Sequence, residues 1–256
     1  MNWNRRASRT FDKYFVPNSW KIDGLQDYVH EVVPPLIQND SRICDVGGGK
    51  RPFVGLEVPK QKGHHIIGID IDKTELDAAP QGVYDKVIVS DIGATILPPE
   101  VTKKAVKADL IICEAVLEHV ADNAQAVRNI AGLADDGGKI ALFIPSRNAL
   151  FAIVNRYLPE KLKRAILFTI FPETAHAQGF PAFYDHCTPR EMRRLFEANG
   201  VRVDTLKCYY FSTYFSFFLP AHMFWRLFQL ISYVFLRENA AESFSIVGTK
   251  DKTEPH

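Results

Sequence analysis

The chain has 256 residues, of which 46% are hydrophobic and 24% charged, and 31 basic against 30 acidic residues leave a formal net charge of +1. That length suits one large domain or one domain with insertions. The balance excludes extensive disorder and a surface built to coat nucleic acid, which needs a clear positive excess.

In chain order, the opening MNWNRRASRTFDKYF has Arg5 and Arg6 but no apolar run behind them. It reads neither as a secretory nor as a twin-arginine signal, so a cytoplasmic protein is expected. Residues 1–40 mix aromatic and basic side chains and are expected to form an N-terminal helical cap; within it, 23–33 reads as a helix ended by Pro34 and Pro35. Apolar runs follow at 42–46, 65–72, 85–92, 108–116 and 138–146, with 117–134 as a helix between the last two. The runs are continuous rather than alternating, which fits strands buried on both faces, and their spacing predicts crossovers and a parallel sheet. Residues 188–200 predict a helix capped by Thr188, with Pro189 at its first position, Glu191 completing a capping box and Gly200 as its stop. Strands at 201–210 and 242–250 complete a domain over 41–250, interrupted by insertions at 147–185 and 211–240 and followed by a polar tail at 251–256. Cysteines at 44, 113, 187 and 208 form no C-x-x-C pair, so a zinc or thioredoxin-like site is not expected, and the scattered thiols fit a reducing compartment.

The chemistry gathers after the first strand. Gly47, Gly48 and Gly49 follow it directly, and Asp70 ends the second strand, 21 residues after Gly49. Glycines let backbone approach a ligand closely, and an acid at the carboxyl end of an open sheet is placed to accept hydrogen bonds from ribose hydroxyls. The dinucleotide fingerprint is broken, because Pro52 stands where its third glycine would close helix against strand. An NAD-dependent oxidoreductase is therefore the weaker alternative.

These residues resemble the class I S-adenosylmethionine-dependent methyltransferases, in particular the small-molecule branch known as type 11. The resemblance implies an α/β, Rossmann-like fold: a mostly parallel seven-stranded sheet with helices on both faces and helical lid insertions. ICDVGGGK is similar to the family's first motif, which implies that Asp45 helps hold the cofactor's amino acid portion, with Gly47 and Gly49 beside it. GIDID resembles the second motif, giving Asp70 to the ribose and Ile71 to the adenine; SDI resembles the third, giving Asp91 to the adenine amino group and Ile92 to its ring. CEAVLEHV is similar to the fourth strand and its turn, with Glu114 near the methionine portion. The Lys50-Arg51-Pro52 run departs from the family's frequent third glycine. The absence of Asn-Pro-Pro-Tyr argues against methylation of base or glutamine amino groups. What is implied is S-adenosylmethionine as cofactor and a small, hydrophobic or lipid-linked acceptor. The alternative from another class is a non-catalytic cofactor-binding or membrane-surface scaffold with the same fold.

A hydroxyl acceptor needs a base for its proton, and histidine suits neutral pH. His119 follows the fourth strand and is the catalytic candidate, against a helix-cap or packing role; Glu118 is a further candidate for the proton. His176, Tyr184 and His186 are substrate-binding candidates, against plain loop residues, while His64 and His65 read as surface. No ligand spacing for a metal is present. In 221–237, His222, Arg226, Gln229, Tyr233 and Arg237 make one narrow polar stripe on an otherwise apolar helix. That pattern predicts an apolar cover over the acceptor, or contact with a membrane surface. A basic–apolar helix over 160–171 fits an anionic interface. A transmembrane span over 213–236 is disfavoured, because Pro220, His222, Arg226 and Gln229 interrupt it and 242–250 must return to the sheet. The expected partners are a small-molecule acceptor and a membrane surface, with no nucleic acid.

Overall fold

A computed structural model describes residues 2–157 and 180–252. Strands β1 (Arg42–Val46), β2 (His65–Asp70), β3 (Lys86–Val89), β4 (Ala108–Glu114), β5 (Ala134–Pro145), β6 (Val201–Tyr209) and β7 (Ser243–Lys250) form one sheet in the order β3-β2-β1-β4-β5-β7-β6. The pairs from β3 through β5 are parallel, and β7 lies antiparallel between β5 and β6. This is the Rossmann-like methyltransferase architecture. Strand order reverses between β1 and β4, so the crevice for a ligand opens at their carboxyl ends.

The longer helices are α1 (Asn2–Phe15), α2 (Asn123–Leu133), α3 (Leu150–Tyr157), α4 (Pro189–Ala198) and α5 (Leu219–Leu236). One face of the sheet buries Ile67, Ile111 and Ile140 against Ile130 of α2 and Phe196 of α4. The other buries Ile43, Ile66 and Leu110 against Tyr28, Val29 and Val33. Tyr28 also donates to the Ala141 carbonyl at 2.8 Å, tying the chain's first forty residues to the sheet. Thr188 caps α4 as expected, with Glu191 N donating to Thr188 Oγ1 at 3.3 Å, but the expected capping box does not close: Glu191 Oε2 accepts from Thr188 Oγ1 at 2.7 Å, and Thr188 N donates instead to the His186 carbonyl at 2.8 Å.

Several expectations are corrected. The helix expected over 117–134 is broken: Leu117–His119 make one tight turn, Val120 is extended, and Asp122 caps α2 afresh through Gln125 N at 2.9 Å. The fifth strand begins at Ala134 rather than 138, because Ala134 already pairs with Ala108 across a register shift. His64 is buried, not on the surface; its ring is held between Gln61 N at 3.3 Å and the Gln38 carbonyl at 3.2 Å. The predicted basic helix over 160–171 and His176 lie outside the described residues.

The largest correction concerns α5, whose polar stripe faces inward. His222, Arg226 and Gln229 are buried, while Phe224, Leu227, Leu230, Ile231 and Phe235 are exposed. The cause is Asp12 of α1, which accepts from Arg226 Nε at 2.9 Å and Nη2 at 2.8 Å and lies 2.8 Å from His222 Nε2. Arg226 Nη1 donates to the Tyr210 carbonyl and to Gln229 Oε1, both at 2.8 Å. Trp225 is fully buried and donates to Glu242 Oε1 at 2.8 Å. Among the described residues no helix is long and apolar enough to cross a membrane.

Candidate functional site

The carboxyl ends of β1, β2 and β4 bring Asp45, Asp70 and Glu114 to one edge. Between them runs the glycine loop. Gly47 has φ +76°, and a Cβ there would stand 2.2 Å from Val116 Cγ2; Gly49 has φ +48°, and its Cβ would stand 3.1 Å from Asp70 Oδ2. Both positions therefore require the residue without a side chain. The loop does not lead into a regular helix: after Phe53, Val54 is extended and Gly55 has φ +110°. A diphosphate would find no ordered helix N-terminus here.

Asp45 is buried and accepts from Phe53 N at 2.8 Å. Burial, opposed by that hydrogen bond and reinforced by Glu114 and Asp70, pushes its carboxyl up to about 7. Burial also raises Asp70, whose Oδ1 accepts from Asp72 N at 2.9 Å, and raises Glu114, with repulsion from Glu57 added. Three carboxyls that each resist ionisation are relieved together by a cationic ligand. S-adenosylmethionine carries an ammonium and a sulfonium as well as ribose hydroxyls, so these residues fit it. Ile71 is exposed beside Asp70, and Asp91 is exposed with Oδ1 accepting from Gly93 N at 2.8 Å. Ile92 turns into the core rather than outward.

The residues expected on the acceptor side lie at and over the turn after β4. His119 Nδ1 lies 2.9 Å from the Pro181 carbonyl. Only a protonated Nδ1 can bond a carbonyl, so that partner assigns the tautomer and leaves the lone pair on Nε2, 3.8 Å from Glu118 Oε1. Burial pushes Glu118 up to about 8, and its Oε2 is buried without a hydrogen-bond partner. The 180–187 segment is clamped over this turn. Phe183 N and Tyr184 N donate to the Glu118 carbonyl at 2.8 and 3.0 Å. Asn123 N donates to Asp185 Oδ2 at 2.9 Å, and that oxygen also holds His186 Nδ1 at 2.8 Å. Ala115, Tyr184 and His186 are three of the six non-glycine residues with positive φ among those described, an accumulation of backbone strain at one place.

The structure thus brings His119 and Tyr184 together with Glu118, and holds His186 on Asp185 in the same segment. Sequence reasoning missed Tyr84 and Asn123. The Tyr84 hydroxyl lies behind the glycine loop, 3.3 Å from the Gly49 carbonyl, and its ring occupies the space that a Cβ on Gly68 would need. Its only signal was an aromatic residue just before the third strand. Asn123 stands next to the helix cap Asp122, a position that ordinarily reads as local capping. Among the described residues no group of three or more His, Cys, Asp or Glu side chains is arranged to hold a metal ion. A cleft of about 370 Å³ opens at the opposite end of the sheet, beside Asp40, Asp109 and Asp135. Arg42 bridges Asp109 and Asp135 there at 2.5 and 2.9 Å, and the glycine loop is at the other edge.

A methyltransferase domain family model matches residues 18–206. The ubiquinone biosynthesis O-methyltransferase of Aeromonas salmonicida is 25% identical over 196 residues, covering 72% of this chain and 76% of that protein. Its counterpart in Coxiella burnetii is 26% identical over 195 residues, with the same 72% and 76% covered. Among solved structures, an S-adenosylmethionine-dependent methyltransferase from Mesorhizobium loti superposes with a TM-score of 0.53 at 12% identity, covering 87% of this chain and 98% of that one. The likeness to the solved structure concerns the fold.

Proposed function

The chain belongs to the methyltransferase domain family and is an S-adenosylmethionine-dependent methyltransferase; from that premise we propose that it methylates a hydroxyl of a small apolar or lipid-linked acceptor, with His119 taking the proton. The observation that carries this reading is the His119 tautomer: Pro181 holds Nδ1, and Nε2 keeps its lone pair beside the buried Glu118. When bound, S-adenosylmethionine supplies a methyl group on a sulfonium, which an oxygen nucleophile takes as it loses its proton. Asp45 and Glu114 hold the amino acid portion, Asp70 the ribose, Ile71 and Asp91 the adenine, and the backbone of Gly47 and Gly49 lets the cofactor approach. Glu118, uncharged at neutral pH because it is buried, keeps the acceptor side apolar and leaves His119 as the group free to take a proton. Tyr184 and His186 line the acceptor, fixed by their bonds to the Glu118 carbonyl and Asp185. The relatives' activity, O-methylation in ubiquinone biosynthesis, supports oxygen as the receiving atom and a lipid as the acceptor's class. The test uses methyl-labelled cofactor and a total lipid extract. His119→Ala should lower labelled-product formation about 10²-fold with cofactor affinity unchanged. Near-normal turnover would return His119 to a packing role.

A further inference from the structure

The face of α5 turned to solvent carries no charge. Phe224 is 62% and Phe235 79% exposed, and Leu227, Leu230, Ile231 and Val234 complete the stripe between them. A soluble helix ordinarily turns this face inward; here the inward face is the one that holds Arg226 and His222 on Asp12. The helix that supplies Asp12 has a matching outward side. On α1, Trp3 is 74% exposed and Tyr14 is exposed with it, alongside the exposed Arg6, Arg9 and Lys13. The one acid of α1 is Asp12, consumed in the contact with α5. Two packed helices therefore present an uncharged apolar stripe beside aromatic and basic side chains without an exposed carboxylate on α1. Aromatic rings with lysine and arginine are what settle at the headgroup level of an anionic bilayer. The N-terminal end of α5 is tied to the Glu118 side of the fold. Just before α5, Tyr214 stacks on Phe151 at 4.7 Å between ring centroids, and burial raises its hydroxyl with repulsion from Glu118 added.

We propose that α5 and α1 together form a docking surface for an anionic phospholipid membrane, with α5 lying in the interface and α1 contacting the headgroups. This rests on the reading of a lipid-linked acceptor, which docking would present to the His119 side without release into water. The test is flotation of the full chain with vesicles of phosphatidylcholine, alone or mixed with phosphatidylglycerol, with calorimetric cofactor binding run in parallel. The parent protein should float with the mixed vesicles and far less with phosphatidylcholine alone. Phe224→Glu with Phe235→Glu should lower vesicle partition on the order of a hundredfold. Arg6→Gln with Arg9→Gln should lower it about fivefold per charge removed. Both pairs alter exposed positions, so folding and cofactor affinity should stay at parental values. No flotation of the parent, or flotation untouched by the two glutamates, overturns the proposal. A parent that is dimeric, does not float, and becomes monomeric with the glutamates overturns it in favour of a second copy of the chain. Failure of the lipid-acceptor reading would show instead as no labelled product from the lipid extract, independent of flotation.

Discussion

Asp12 and Asp45 are both withdrawn from water, yet they sit on opposite sides of the usual carboxylate range. Burial would raise Asp12, but hydrogen bonds from His222 and Arg226 outweigh it and hold the carboxyl below its ordinary value. At Asp45 burial dominates, the Phe53 amide offsets only part of it, and neighbouring acids add repulsion, so it rises to about 7. The chain supplies its own counter-charge at the α1–α5 seam and leaves the acids beside the glycine loop short of one. A compensated buried charge fits scaffold, and an uncompensated one is a place held for a cation from outside.

The largest test breaks the compensated pair. Arg226→Ala strands Asp12 beside His222 and should lower unfolding free energy by about 3 kcal/mol or more, read from urea titration. Asp12→Leu combined with Arg226→Met should recover most of that loss. A single-variant cost under about 1 kcal/mol would mean the seam is not a stabilising contact.

Asp45→Asn sharpens the contrast from the other side. Cofactor affinity should fall by about 2–3 kcal/mol in calorimetry, the scale for hydrogen bonds to a charged group. Stability without cofactor should behave oppositely to that of the Arg226 variant. Burial pushes the folded carboxyl of Asp45 up to about 7, above its ordinary 3.8, so its stabilising contribution is complete below about 4 and is lost as pH rises through about 7. Asparagine cannot ionise and escapes that loss, so the variant's Tm above pH 7 should equal or exceed the parent's. A Tm well below the parent's would place Asp45 among structural acids.

The smallest effect is the pH dependence of cofactor binding. A cationic amino group favours the ionised form of Asp45, so affinity should climb as pH rises toward about 7 and level off above it. The slope should approach tenfold per pH unit, with a proton released on binding. A flat profile in the parent would detach Asp45 from the amino group.

That the glycine loop and its acids share one edge was legible because the requirements are short-range. Gly47 and Gly49 follow β1 with no intervening insertion, and Asp70 ends the next strand, so strand order alone carries them to one edge. The acceptor side was less legible. His119 and Glu118 were visible after the fourth strand, but Val120 breaks the helix expected there, and Asn123 and Asp185, 62 positions apart, decide where Tyr184 and His186 stand. Tyr84 was not found because its role depends on the empty space at Gly68, a residue sixteen positions away on a neighbouring strand.

By itself the sequence determined the parallel sheet, the glycine loop and its acids, and the capped helix α4, because continuous apolar runs, positive-φ glycines and a threonine N-cap act over a few residues. It also determined that α5 has two unlike faces. Which face looks inward was decided by the tertiary structure alone. A helical period is unchanged by rotation about its axis, and the rotation of α5 is set by Asp12, 214 residues from Arg226 along the chain. One well-placed carboxylate made burying a guanidinium and an imidazole favourable, and so the apolar side was left outside.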